Sequence, residues 1–275
     1  MAEKGINVAL DGSMDPKALA DSGARWARMV ATDDHDLRDY MKACQDEGVR
    51  VLLLIARESL PTLNKEQTNL AEAAQHAAEL YQARYDGHFD ALQICNEPDG
   101  PSGSSSWAQS VDDVNLMIQT FRQAFPDAFI VGPGLCSGDP SKFQGVDVSP
   151  LNAISIHPYG QGVPAEDGLE LFPSPFGFGG EGAHIGHLIN NYQQFGKPIW
   201  VSEWGANDTD MANATDMGGE ANSATYVGRM MRHLRSRGDV DAAFYFCWSD
   251  SMVARFGLSR ADGGQKSAFA EYVNS

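Results

Sequence analysis

Short apolar runs alternate along the chain with longer segments in which apolar residues recur every three or four positions. The runs fall at 6–10, 24–30, 49–56, 92–95, 128–132, 153–156, 198–204 and 242–248. Apolar over nearly their whole length, they read as parallel strands covered on both faces. The segments at 16–21, 36–48, 66–85, 106–125, 182–195, 220–237 and 266–273 read as helices, most of them burying one stripe. Eight strands separated mostly by helices are the grammar of a (β/α)8 TIM barrel in the α/β class. A doubly wound open sheet shares that grammar, but Asp11-Gly12-Ser13 stands where such a sheet keeps its glycine-rich turn, which favours the barrel. Residues 1–275 are expected to form a single domain, because this length allows one large core and demands no second.

Two of the runs end alike, in Asn96-Glu97-Pro98 and in Ser202-Glu203-Trp204-Gly205. A carboxylate leaving water must be paired, hydrogen-bonded or neutralised, and one such residue alone reads best as a helix-capping loop acid. A second one changes the reading, because all strand ends of a barrel open on one face and Glu97 can meet Glu203 across the mouth. Alternation along the strands places Gln93 and Cys95 with Glu97, and Ile199 and Val201 with Glu203, all expected to point inward. Two opposed carboxylates fit glycoside hydrolysis, in which one protonates the leaving oxygen and the other attacks the sugar or activates water. Asn96 is a candidate partner for a sugar hydroxyl. Arg28, ending a strand, is a candidate to keep one glutamate ionised, with a salt bridge in the barrel wall as its plainer role.

A formal charge of −17 with no basic stripe argues against a nucleic-acid partner and favours an uncharged one. No segment approaches the roughly 20 unbroken apolar residues of a membrane span, and residues 1–5 lead into the first strand without a signal-peptide core. A cytosolic enzyme, a phage-borne depolymerase and a trimmed secreted protein remain open, and a monomer without cofactors is expected. The four cysteines have no CxxC spacing; buried free thiols are expected, with a Cys95–Cys136 bridge left open.

Together these residues resemble the large clan of retaining TIM-barrel glycosidases that includes glycoside hydrolase families 5 and 39. The resemblance rests on Asn96-Glu97-Pro98 after the fourth strand, Glu203 at the seventh, Trp248 at the eighth and His157-Pro158-Tyr159 after the sixth. It implies that Glu97 is the acid/base, Glu203 the nucleophile and Asn96 the partner of the sugar 2-hydroxyl. It also implies that Tyr159 hydrogen-bonds the nucleophile and that Trp248 floors the glycone subsite. A β-linked oligo- or polysaccharide is the implied substrate, and glycine-rich loops favour endo action.

Other candidates stand beside these. His184 and His187, three apart on a helical segment, could join His157 as metal ligands in a metal-dependent barrel hydrolase, although solvated helix histidines are the ordinary explanation. Trp107, Trp204, Phe172, Phe176 and Phe178 are candidate sugar platforms. A glycan-binding barrel without turnover is the alternative of a different class, and retention of both glutamates argues against it.

Overall fold

In the computed structural model, which describes residues 1–9, 12–63, 69–100, 109–136, 139–159, 185–209 and 218–275, the apolar runs become a closed ring of parallel strands. The strands are β1 (Glu3–Asn7), β2 (Trp26–Val30), β3 (Arg50–Ile55), β4 (Ala91–Ile94), β5 (Ile130–Leu135), β6 (Ala153–Ile156), β7 (Ile199–Trp204) and β8 (Val240–Tyr245). Each pairs with the next, and β8 closes on β1 through Glu3↔Ala242 and Ile6↔Tyr245. The helices are α1 (Pro16–Asp21), α2 (Arg38–Asp46), α3 (Leu70–Tyr85), α4 (Val111–Ala124), α5 (Ile185–Tyr192), α6 (Glu220–Ser236) and α7 (Ser267–Asn274). This is the (β/α)8 TIM barrel that the alternation predicts.

Local chemistry sets several boundaries inside the expected ranges. Asn69 caps α3 by accepting from the Glu72 amide, and Ser110 and Asp113 form a capping box that starts α4. The first strand begins earlier than its apolar run, because closure onto β8 recruits Glu3, Lys4 and Gly5. The eighth ends earlier, so Trp248 lies in the loop beyond it.

The barrel interior is built in layers by steps of two. At its floor Trp26, Leu52, Ala91, Val131, Ala153, Trp200, Ala242 and Phe244 form a separate buried apolar cluster. Trp26 meets Trp200 edge-on there at 4.9 Å, and the small alanines of the same layer leave room for the pair. On β1 the floor residue is Gly5, where an added Cβ would lie 2.4 Å from the Phe244 ring. Two residues further along, five strands present polar groups instead: Asn7, Arg28, Gln93, Ser155 and Ser202, all buried. The outer faces of the strands, with Val51, Leu53, Ile154, Ile199 and Val201, pack on the helices in the larger core. An apolar floor under a polar layer leaves the chemistry at the carboxyl rim, as barrels of this type require.

Candidate active site

Two departures from strand alternation bring a glutamate to the mouth. On β7, Val201 pairs with Ala243 and Trp204 with Tyr245, so three steps on β7 face two on β8. That extra residue is a β-bulge, which reverses the sides beyond it. Ile199 and Val201 therefore point outward, contrary to the expectation, and strict alternation would have sent Glu203 outward with them. The bulge turns Glu203 into the mouth and Trp204 into the outer core, where it is fully buried against Tyr245 and Tyr226. Trp204 is thus a core residue and not a sugar platform.

On β4 the device is backbone strain. Cys95 and Glu97 both adopt left-handed conformations, with φ of 66° and 47°. For side-chain-bearing residues each costs on the order of 1 to 3 kcal/mol and persists only where the surroundings enforce it. Cys95 consequently joins the outer apolar core and not the interior, while Gln93 points inward as expected. The Glu97 amide donates to the Gly134 carbonyl at 2.8 Å, pinning the turn to β5.

Arg28 gathers the site from beneath. Its Nη1 donates to Glu203 Oε1 at 2.7 Å and to Asn7 Oδ1 at 2.6 Å, its Nε to Gln93 Oε1 at 2.7 Å and its Nη2 to Asn96 Oδ1 at 2.7 Å. From β6, His157 Nδ1 lies 2.9 Å from Glu97 Oε1 and 3.8 Å from Glu203 Oε2. The Tyr159 hydroxyl donates to Glu203 Oε2 at 2.9 Å. Atoms of Glu97, His157 and Glu203 all lie within 4.8 Å of one another.

Electrostatics separate the two acids. Burial pushes the Glu203 carboxyl pKa up, but the His157 imidazole, the Arg28 guanidinium and the Tyr159 hydrogen bond outweigh it and hold the group below the usual carboxylate range. Burial, and then the charges of Glu203 and Glu97, push the Tyr159 hydroxyl well above its ordinary value, so it stays a donor. Among the described residues no guanidinium pairs with Glu97; its side chain is 19% exposed against 10% for Glu203. Glu203 is therefore clamped as an anion.

Beside Glu203 opens a cavity of about 460 Å³. Asn7, Arg28 and Asn96 give it a polar floor, Val30, Leu54 and Met252 apolar walls, and Phe246 an aromatic one. Phe246, not Trp248, is the ring that the β8 end presents to this cavity; Trp248 packs edge-on against Phe269 at 5.8 Å. Trp107, Phe172, Phe176, Phe178 and His184 lie outside the described residues, as does the side chain of His187. Of that histidine set only the His157 side chain lies among the described residues, and both its ring nitrogens are engaged by protein groups. A cation placed among Glu97, His157 and Glu203 would compete with the Arg28 guanidinium for Glu203, so the donor set does not fit a metal ion. All four cysteines are free and buried, so no bridge joins Cys95 and Cys136.

Asn7, Ser155 and Ser202 were not singled out from the sequence. Each is a polar residue inside an otherwise apolar strand, the signal by which it could have been found. Glu58, in the 3-10 turn after β3, and Met252 and Val253, in the loop after β8, line the cavity and carry no such signal.

Gly134 has a distinct task here. A Cβ added to it would lie 2.1 Å from His157 Nε2. Gly134→Ala is expected to displace the imidazole, costing about 1 to 3 kcal/mol of stability by overpacking. Turnover is expected to fall in parallel, and urea unfolding together with kcat would check both effects.

No curated protein matches the sequence. Among solved structures, a family 39 glycoside hydrolase from Bacteroides cellulosilyticus WH2 superposes with a TM-score of 0.74 at 17% identity, covering 98% of this chain and 62% of that one. A family 128 (subgroup I) endo-β-1,3-glucanase from Amycolatopsis mediterranei, in complex with laminarihexaose, gives 0.70 at 17% identity over the full length of both chains. A monomeric β-xylosidase from Caulobacter crescentus CB15 gives 0.66 at 17% identity, covering 99% of this chain and 67% of that one. At such identities these likenesses establish the fold. The family model described as cellulase (glycosyl hydrolase family 5) matches residues 20–251, and the chain accordingly belongs to that family and is an O-glycosyl hydrolase.

Proposed function

We propose that this chain is a retaining, endo-acting glycoside hydrolase that cleaves a β-linked, uncharged glycan by double displacement. The observation that supports the reading is the spacing of the two acids: one carboxylate oxygen of Glu97 and one of Glu203 lie within 4.8 Å of each other. Retention needs carboxyl groups about 5 to 5.5 Å apart, whereas inversion needs about 6.5 to 9.5 Å to admit a water.

In the first step a Glu203 oxygen attacks the anomeric carbon while Glu97 gives its proton to the departing glycosidic oxygen. The C–O bond to the leaving group breaks as the glycosyl ester forms. In the second step Glu97, now ionised, takes a proton from water, the hydroxide oxygen attacks the same carbon, and the ester bond breaks to release Glu203. Asn96, its Oδ1 held by Arg28, keeps its amide N–H groups for the sugar 2-hydroxyl beside the attacked carbon. Tyr159 and Arg28 hold both oxygens of Glu203, fixing its attack direction.

An uncharged substrate fits the chain's −17 charge and the Glu58 carboxyl in the cavity wall. The full-length likeness to an endo-β-1,3-glucanase holding laminarihexaose supports a β-glucan chain lying across the mouth. The test is a panel of β-1,3- and β-1,4-glucan, mannan and xylan, with the first-formed product anomer read by proton NMR. A β-anomer and a ladder of oligosaccharides are expected. First release of the α-anomer would overturn retention, and release of a single terminal sugar would overturn endo action.

A further inference from the structure

A run of hydrogen bonds passes under the two glutamates and leads from one to the other. It leads from Glu97 to His157 at 2.9 Å, from His157 Nε2 to Ser202 Oγ at 2.9 Å, and from Ser202 Oγ to Gln93 Nε2 at 3.0 Å. Gln93 Oε1 then accepts from Arg28, which holds Glu203. Ser155 joins from the side through its hydroxyl contact with Ser202.

Counting donors fixes every proton in this run. Arg28 only donates, so the Gln93 atom facing it must be the carbonyl oxygen, and the Gln93 amide nitrogen must face Ser202. Ser202 Oγ thereby gives one lone pair to Gln93. The Ser155 hydroxyl is fully buried, and among the described residues its proton has no acceptor besides Ser202 Oγ. A buried hydroxyl left without an acceptor loses its solvation uncompensated. Ser155 therefore donates, and both lone pairs of Ser202 are filled. The remaining proton of Ser202 goes to His157 Nε2, which accepts, so the imidazole carries its single proton on Nδ1, facing Glu97.

We propose that Ser202, held by Gln93, is a positioning residue that locks His157 in the Nδ1–H tautomer and so directs the acid proton of Glu97 to the substrate. With Nδ1–H donating to Oε1, the proton of the acid form sits on Oε2, away from His157. In the opposite tautomer Nδ1 would accept, and Glu97 would turn its proton into the imidazole. Arg28 and Tyr159 meanwhile hold the two oxygens of Glu203. The inference rests on Glu97 being the acid.

Leaving-group dependence tests it, because acid assistance matters for a poor leaving group and hardly at all for a dinitrophenolate. Ser202→Ala is expected to slow cleavage of an unactivated β-glycan oligosaccharide by about 10- to 100-fold relative to cleavage of the matching dinitrophenyl glycoside. Ser155→Ala also deletes a buried hydroxyl but leaves Ser202 no acceptor other than His157, so it is expected to keep the parent's ratio. Equal changes in the two ratios would reduce Ser202 to packing and overturn the inference. Glu97→Gln serves as the reference: if it shows no leaving-group dependence, the acid assignment itself fails. If it does and Ser202→Ala does not, only the tautomer lock fails. Should Ser202→Ala not fold, nitrogen-15 NMR of the parent's imidazoles, with His157 located by His157→Asn, decides alone: protonated Nδ1 and bare Nε2 are expected, and the reverse overturns the inference.

Discussion

Glu203→Ala is expected to turn over an activated β-glycoside at least about 10⁴-fold more slowly than the parent, and sodium azide is expected to restore part of the lost rate. The carboxylate has no substitute, because the other groups at its position, Arg28 and Tyr159, are donors that cannot form a glycosyl ester. Truncation leaves a small void on the nucleophile's face, which azide can enter. Its attack there inverts the sugar, giving an α-glycosyl azide. Glu97→Ala is expected to fail differently. With a dinitrophenyl leaving group it still forms the glycosyl-enzyme, and azide then attacks from the opposite face to give the β-glycosyl azide. The two stereochemical outcomes, read by NMR, assign the roles independently of rate. A β-azide from Glu203→Ala would exchange the roles, and parent-like turnover by both variants would dismiss the pair.

Arg28→Met is expected to cost about 3 to 5 kcal/mol of stability, since removing one partner of a buried ion pair strands the other. Arg28 is 3% exposed and donates to Asn7, Gln93, Asn96 and Glu203 at once, so four acceptors lose a partner together. Activity is expected to fall with a shifted pH profile. In the parent the lowered pKa of Glu203 keeps the nucleophile ionised, so the acid limb of kcat/KM lies below the usual carboxylate range. The same depression adds stability that is fully present above the unfolded carboxylate pKa of about 4.3 and is lost as pH falls through the lower folded value. Without the guanidinium, burial acts with less opposition and the acid limb moves to higher pH. Arg28→Lys keeps a charge but loses the planar fork, so it is expected to recover part of the pH profile and less of the stability. An acid limb unchanged in both variants would show that Arg28 does not hold Glu203 ionised.

The sequence by itself determined the barrel and the meeting of Glu97 and Glu203 at one rim. Apolar runs buried on both faces have little choice but a parallel sheet under helices, and that information is local and repeated eight times. The clan-level resemblance was legible because Asn96-Glu97-Pro98, His157-Pro158-Tyr159 and Glu203 are short motifs at strand ends. What the sequence could not decide is where each side chain points. Period-two reasoning turned Val201 inward and Cys95 with it, whereas a one-residue bulge on β7 and two left-handed residues after β4 reverse both. Those reversals depend on register with neighbouring strands, so only the closed barrel could settle them. The same holds for Trp204 and Trp248, which packing assigns to the core and to Phe269, and for Phe246, which the loop after β8 delivers to the cavity. It holds too for the buried run from Arg28 to His157, whose members lie on three strands and just beyond a fourth, far apart in the chain, and meet only because the ring closes.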